Sequence, residues 1–242
     1  MEISFKGRMA RLFLRAINKI FDFYIGREKR AVLFNIEETY PSLKLISDNY
    51  ELIKSEYDNL NNNTELAQYH EIDHDRKRIS ARTNEKWKTF ILNACQSHSI
   101  EGAKYCPGTI KLLDDIPGLF QAMFSVLEAG KSIPKHHGPY KGYLRYHLTL
   151  YAPEINPPSI KIKDKIHVWK NGNEVLFDDS WDHEVTNNSN EERSIVMIDV
   201  LRPMPKLPSV KKNFIVNKLV KHTYGKKILQ NQTTYFQNIT NN

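Results

Sequence analysis

The chain has 242 residues, 40% hydrophobic and 26% charged, enough for one sizeable globular domain and too few for two full catalytic domains. Two cysteines exclude a disulfide scaffold and a four-cysteine zinc site, and no run of 18 apolar residues is present to cross a bilayer as a helix. The net charge of +7 sits at the ends: residues 1–30 hold eight bases against three acids, residues 203–242 hold seven lysines and no acid, and the stretch between carries 20 bases and 25 acids. A nucleic-acid binder carries a basic face with aromatics inside its folded domain, so this distribution reads against nucleic acid. Basic ends suit an anionic surface such as lipid headgroups, or plain solvation.

In chain order, the apolar residues Met9, Leu12, Phe13, Ala16, Ile17, Ile20, Phe21 and Tyr24 recur at helical spacing, with Arg8, Arg11, Arg15 and Lys19 on the other face. Two uses of this amphipathic helix stay open: peripheral contact with a membrane through residues 8–25, and packing against the rest of the domain. Bases interleave the apolar residues where a signal peptide would have a continuous apolar core. The expected location is therefore cytoplasmic, with the inner membrane face as the site of any lipid contact.

Residues 26–85 read as helix and loop, with a flexible insert near 58–66 around Asn61-Asn62-Asn63. From Trp87 the pattern changes to short alternating segments at 122–127, 143–151, 159–169, 174–177 and 193–201, separated by turn residues such as Gly138-Pro139 and Asn171-Gly172-Asn173. Strands at this spacing imply a β-sandwich or barrel. After Pro203 and Pro205 a basic tail follows, with a short helix around Phe214–Val220 and a loose polar end.

His70-Glu71-Ile72-Asp73-His74 matches the H-E-x-x-H zinc pattern, which works when one helix face carries both imidazoles. Here Asp75-Arg76-Lys77-Arg78 follows, with no apolar face to bury such a helix, and the segment reads as solvated surface.

Two other segments carry chemistry. The first runs from Pro134-Lys135-His136-His137-Gly138-Pro139 into Tyr143-Leu144-Arg145-Tyr146-His147-Leu148, where alternation puts Arg145 and His147 on one strand face. A cation and an imidazole pointing together are either satisfied by carboxylates or form an anion pocket. The second is Phe177-Asp178-Asp179-Ser180-Trp181-Asp182-His183-Glu184-Val185, with Arg193 ten residues beyond His183. A histidine at a strand end suits a metal ligand in a barrel mouth as well as a satisfied core position.

These segments, with Ile198-Asp199-Val200-Leu201-Arg202-Pro203, resemble the aspartyl/asparaginyl β-hydroxylase family over residues 86–205. The resemblance implies a mainly β fold, a double-stranded β-helix of the cupin or jelly-roll kind, preceded by N-terminal helices in residues 1–85 and followed by a basic helical tail in 206–242. It implies an enzyme dependent on Fe(II), 2-oxoglutarate and O2. His136 and His183 would hold iron. Arg193 would bind the distal carboxylate of 2-oxoglutarate, His147 its other carboxylate, and Ser125 would also contact it. Arg145 would face co-substrate and substrate.

Gly138 stands where many such enzymes place a third, carboxylate ligand. The peptide-hydroxylating branch also has Gly there and the lipid A 2-hydroxylase branch has Asp, so the resemblance at this position implies the peptide-type site, with a metal shell of two histidines. Asp178 and Asp179 would orient His183 or serve the turn. Cys95 and Cys106 fall where the peptide-hydroxylating branch carries a disulfide; in cytosol they stay thiols. The implied reaction is aspartyl/asparaginyl-type hydroxylation of a peptide or protein. Tyr143, in place of a family arginine for acidic substrates, and the Arg145-Tyr146-His147 run look more like the lipid A 2-hydroxylase branch. The second expectation is thus a lipid acyl chain at a membrane surface. The third is a non-catalytic cupin-like binding protein.

Overall fold

The computed structural model describes residues 5–204 and 224–240; the expected short helix around Phe214–Val220 lies outside them. The strands are β1 (Leu33–Phe34), β2 (Ala67–Gln68), β3 (Trp87–Ala94), β4 (Ser97–His98), β5 (Leu119–Leu127), β6 (Ile133–His136), β7 (Tyr143–Tyr151), β8 (Ser159–Ile162), β9 (Lys165–Val168), β10 (Glu174–Phe177), β11 (His183–Thr186) and β12 (Arg193–Leu201). The larger sheet runs β1-β10-β7-β12-β5-β3-β2, with β4 also on β3; the smaller runs β6-β11-β8-β9. Every pairing is antiparallel.

The pairing is nested. β5 pairs with β12, β6 with β11, β7 with β10 and β8 with β9. Eight strands folded back on themselves in this order form a double-stranded β-helix, the expected cupin or jelly-roll core. The inner faces of the two sheets pack against each other.

The larger sheet is buried on both faces, which explains its long apolar runs. Even-numbered residues such as Phe124, Tyr146, Leu148, Val196 and Ile198 pack outward under helices, against Leu43, Ile46, Ile53, Tyr57 and Leu60. Odd-numbered residues such as Ile91, Met123, Phe177, Ile195 and Met197 pack inward against Ile133, Ile160 and Val185 of the smaller sheet. Strand β3, buried along nearly its whole length, has no period-two signal for this reason.

Three expectations need correction. The flexible insert near 58–66 is largely helix: Tyr50–Asn63 is continuous because Ile53, Tyr57 and Leu60 anchor one face, leaving Asn61–Asn63 as its exposed last turn. The single segment 159–169 is a hairpin, turned at Lys163 with φ +53°. The loose polar end is instead helix Lys226–Thr240, whose Ile228, Gln232 and Phe236 are buried at i, i+4 and i+8.

Gln232 explains why a polar residue holds that place. The register of β3 on β5 shifts between Ile91 and Asn93. There the Ile91 N–H donates to Gln232 Oε1 at 2.6 Å, and Gln232 Nε2 donates to the Ile91 carbonyl at 2.9 Å.

The N-terminal helix Phe5–Ile25 packs on the rest of the domain. Phe21 is buried and stacks edge-on with Tyr140, with Leu14, Ile17 and Ile25 packed beside them. Asn18 Nδ2 donates to the Pro139 carbonyl at 2.9 Å and Asn18 Oδ1 accepts from Lys141 N–H at 3.0 Å. A second apolar face, with Leu12 56%, Ile20 41%, Phe23 72% and Tyr24 47% exposed, points to solvent. Cys95 and Cys106 are both buried and no disulfide joins them.

Gln232→Ala strands a buried backbone N–H and C=O together. It should lower unfolding free energy by about 1–3 kcal/mol, read by chemical denaturation. A loss within error of zero would show that β3 is not held this way.

Candidate functional site

His136 ends β6 and His183 begins β11, directly opposite each other in register. Their ring centroids are 4.2 Å apart. His136 Nδ1 lies 2.8 Å from the Pro134 carbonyl, and His183 Nδ1 lies 2.8 Å from the Trp181 carbonyl. A carbonyl only accepts, so both Nδ1 atoms carry the proton and both Nε2 atoms present a bare lone pair. Burial keeps the rings neutral. It pushes the His136 pKa down to about 3, helped by His183, and lowers that of His183 against the opposing pull of Asp179. Two neutral imidazoles with fixed tautomers and free Nε2 atoms are what a divalent metal requires.

A carboxylate stands beside them. Asp179 Oδ1 is 3.4 Å from His183 Nε2. Two lone-pair-bearing atoms at that distance repel unless a cation or proton lies near them, which is a further fit to a metal. Asp179 is fully buried and held by Arg145 Nη1 at 2.6 Å and by the Tyr143 hydroxyl at 3.0 Å. Desolvation would raise its pKa, but the Arg145 guanidinium beside it brings it below the usual carboxylate value.

Gly138 is glycine because of this carboxylate. A Cβ there would lie 1.9 Å from Asp179 Oδ2 and 2.9 Å from the Tyr143 hydroxyl. The space that a ligand carboxylate on residue 138 would use is filled from the other segment. Asp178 takes the turn role: it accepts from the Ser180 N–H and hydroxyl at 3.0 and 2.6 Å, and it pairs with Arg30.

Behind the histidine pair, a small cavity between the sheets is lined by Ser125, Arg145, His147 and Arg193, joined by Trp87 and Trp169. All four expected co-substrate residues thus share one space with His136 and His183. Their states differ. Arg145 is spent: its Nε and Nη2 form a fork with Asp199 at 2.8 and 2.9 Å, and its Nη1 holds Asp179. The shared face of Arg145 and His147 exists, but carboxylates satisfy Arg145, so its visible work is to hold Asp179 in place.

His147 and Arg193 are unspent. Both nitrogens of the buried His147 and the Nε of the buried Arg193 have no hydrogen-bond partner. Desolvation, then the nearby Arg145 and Arg193, drives the His147 pKa far down. Burial lowers the Arg193 pKa to about 9. Its guanidinium carbon lies 4.7 Å above the Trp169 ring, and no carboxylate pairs with it among the described residues. Ser125 Oγ accepts from Trp87 Nε1 at 2.9 Å.

The sequence reading missed Trp169, whose Nε1 is another unpartnered buried donor in this space. Its position at the end of an apolar segment was visible; its direction depended on where the β8–β9 hairpin turns. At the rejected zinc pattern the helix stops at Ile72, and Glu71 caps its start by accepting from the Gln68 N–H. Among the described residues no three or more His, Cys, Asp or Glu side chains are grouped to hold a metal by themselves.

The family model described as aspartyl/asparaginyl β-hydroxylase matches residues 47–203, more than half of the chain. The chain belongs to the aspartyl/asparaginyl β-hydroxylase family. The match starts at residue 47 and so takes in the helix Tyr50–Asn63 under the larger sheet.

Ornithine lipid ester-linked acyl 2-hydroxylase of Rhizobium tropici is 37% identical over 168 residues, 69% of this chain and 59% of that protein. Human aspartyl/asparaginyl β-hydroxylase is 30% identical over 122 residues, 48% of this chain and 16% of that one. The chain thus spans well under two thirds of either relative. Among solved structures, the Schizosaccharomyces pombe Cnp3 cupin domain aligns with 55% of this chain and 72% of its own, at TM-score 0.35 and 10% identity.

Gly138→Ala should displace Asp179, cost about 1–3 kcal/mol of stability through overpacking, and weaken divalent-metal binding to the purified protein. Calorimetric melting with metal titration reads both. Wild-type stability and metal affinity in this variant would show that Asp179 does not depend on an empty position 138.

Proposed function

We propose that the protein is an Fe(II)- and 2-oxoglutarate-dependent hydroxylase acting on an acyl chain of a membrane lipid, from the cytoplasmic face. The observation that carries the reading is the buried, uncompensated guanidinium of Arg193 in the same cavity as two bare Nε2 atoms. A buried charge without a partner is costly, and the natural remedy is a ligand of opposite charge. A dicarboxylate that also reaches the metal meets that need.

In this reading His136 and His183 hold the iron through Nε2. Arg193 pairs with the distal carboxylate of 2-oxoglutarate, with Ser125 beside it, and His147 lies by the carboxylate nearer the metal. When bound, iron and 2-oxoglutarate supply the oxidising chemistry: one atom of O2 joins the co-substrate as it loses CO2 and becomes succinate, and the other enters a C–H bond.

The chain's own residues do the rest. Fixed tautomers keep both imidazoles ready without a proton to displace. Arg145, locked by Asp199, holds Asp179 against His183 and so acts as a positioning residue. Phe177, Trp169, Ile195 and Met197 exclude water from the space behind the metal.

The lipid substrate draws support from the Rhizobium relative, whose name specifies an ester-linked acyl chain. It also draws on the exposed apolar face of Phe5–Ile25, with Leu12 and Phe23 outward and Arg15 and Lys19 exposed beside them. Such a face suits peripheral attachment to an anionic bilayer. No helix among the described residues is long and apolar enough to cross a membrane. Hydroxylation of a peptide is the competing reading, which draws on the human and mouse relatives and on Gly138.

The test is product mass spectrometry. With Fe(II), 2-oxoglutarate and O2, the full chain should add one oxygen to an acyl chain in anionic lipid vesicles and none to acidic peptides. Leu12→Ser with Phe23→Ser, both at exposed positions, should slow vesicle turnover at least several-fold and leave the melting transition unchanged. Oxygen on peptides and none on lipid would reverse the substrate assignment.

A further inference from the structure

The chain has three tryptophans, and an indole has one donor, Nε1, and no acceptor. Two of the three spend that donor. Trp87 Nε1 donates to Ser125 Oγ at 2.9 Å, and Trp181 Nε1 donates to the Ala31 carbonyl at 3.3 Å. Trp169 Nε1 is buried with no partner among the described residues. Its side chain is 1% exposed, so bulk water does not reach that N–H. An unpaired buried donor is unfavourable, and a phenylalanine would fill apolar space there without that cost.

The β8–β9 hairpin puts this indole in the cavity behind the histidine pair. Trp169 directly follows β9, and its backbone N–H donates to the Pro158 carbonyl at 3.1 Å, next to the register pair Ser159–Val168. The other edge of β8 pairs with β11, which begins at His183. Trp169 therefore comes from the side of the smaller sheet, as His136 and His183 do, whereas Ser125, His147 and Arg193 belong to the larger sheet. All of them line one cavity. The indole centroid is 4.7 Å from the Arg193 guanidinium carbon and 5.9 Å from the centre of the His147 ring. A π face attracts a cation without occupying its N–H donors as a carboxylate would, so Arg193 is held and its donors are kept free. The His167 ring stands edge-on at 6.2 Å and makes no hydrogen bond to Trp169 Nε1.

We infer that the Trp169 N–H is a donor to the distal carboxylate of the co-substrate and that, with Arg193, it selects a dicarboxylate. The inference rests on the co-substrate reading above and adds the residue that completes its anion site. A carboxylate offers about four lone-pair sites. The Arg193 fork supplies two donors for them. Ser125 Oγ already accepts from Trp87 and keeps its own hydrogen to give. The Trp169 N–H is the fourth donor, and the distal carboxylate is the partner that its burial otherwise denies it. A 2-oxo acid without that carboxylate leaves Trp169 Nε1 and Arg193 unpaired. The site therefore rejects it through the cost of buried donors without acceptors, which discriminates more sharply than size alone.

The test uses the full chain loaded with Zn(II), which allows binding without turnover. The probes are 2-oxoglutarate and 2-oxobutyrate, which keeps the chelating end and lacks the distal carboxylate. By isothermal titration, Trp169→Phe should weaken 2-oxoglutarate by roughly tenfold or more, as expected for one lost hydrogen bond to a charged group. Binding of 2-oxobutyrate should be the same in variant and wild type. A second reading needs no variant: in the wild-type nuclear magnetic resonance spectrum, the indole N–H signal of Trp169, assigned by through-space contacts to Arg193 and His147, should move downfield with 2-oxoglutarate and stay in place with 2-oxobutyrate. Unchanged 2-oxoglutarate affinity in Trp169→Phe, an equal loss for both probes, or an indole signal indifferent to 2-oxoglutarate would overturn the donor role and leave the Arg193 reading standing. Failure of 2-oxoglutarate to bind the Zn(II)-loaded wild type would overturn the co-substrate reading together with it.

Discussion

Arg193 is a guanidinium buried between two β-sheets with no carboxylate opposite it among the described residues. Folding alone does not favour that arrangement: an unpaired buried charge costs several kcal/mol, and an apolar residue of similar volume would serve a core better. His147 beside it repeats the anomaly, with both ring nitrogens unpartnered. The rest of the site makes sense once these two are taken as one half of an interaction whose other half is a ligand. The cavity offers a guanidinium and two bare Nε2 atoms, the features that the proposed co-substrate and metal need.

Other buried charges near the site have carboxylate partners, which sharpens the contrast. Arg145 is forked onto Asp199 and tied to Asp179; Asp178 carries Arg30, Arg202 and Ser180. Such buried networks specify one arrangement of their surroundings. The two aspartates after β10 divide the work: Asp178 shapes the turn that presents His183, and Asp179 presses against position 138 and His183. Arg30 also fastens the segment that follows the N-terminal helix to this turn. The segment after the N-terminal helix is therefore coupled to the turn that precedes His183.

Much of the site was legible in the sequence because its residues sit in short segments at fixed strand spacing. Alternation placed Arg145 and His147 on one strand face and the turn residues implied a β-sandwich or barrel; His136, His183, Arg193 and the double-stranded β-helix followed from the family resemblance. What escaped reading depended on contacts between distant segments. That Asp179 fills the space at Gly138 cannot be seen when the two are 41 positions apart, and Arg145 looked available because its partner Asp199 belongs to another strand. Polar composition misled in two helices. Asn61–Asn63 disguised the last turn of a helix anchored by Tyr57 and Leu60, and Gln232 looked like a loose-end residue although it completes the backbone pairing of Ile91.

The central claim is that Arg193 is left unpaired for the co-substrate and His183 is left bare for the metal. Anaerobic titration of the Fe(II)-loaded full chain with 2-oxoglutarate, followed by the visible charge-transfer absorption of the chelate, tests it most directly. The account predicts a saturable band in the wild type. Arg193→Ala should keep its iron and lose co-substrate affinity by roughly 30-fold to several thousand-fold, while His183→Ala should lose the iron itself. A band that forms equally well in Arg193→Ala, or no band in iron-loaded wild type, would contradict it.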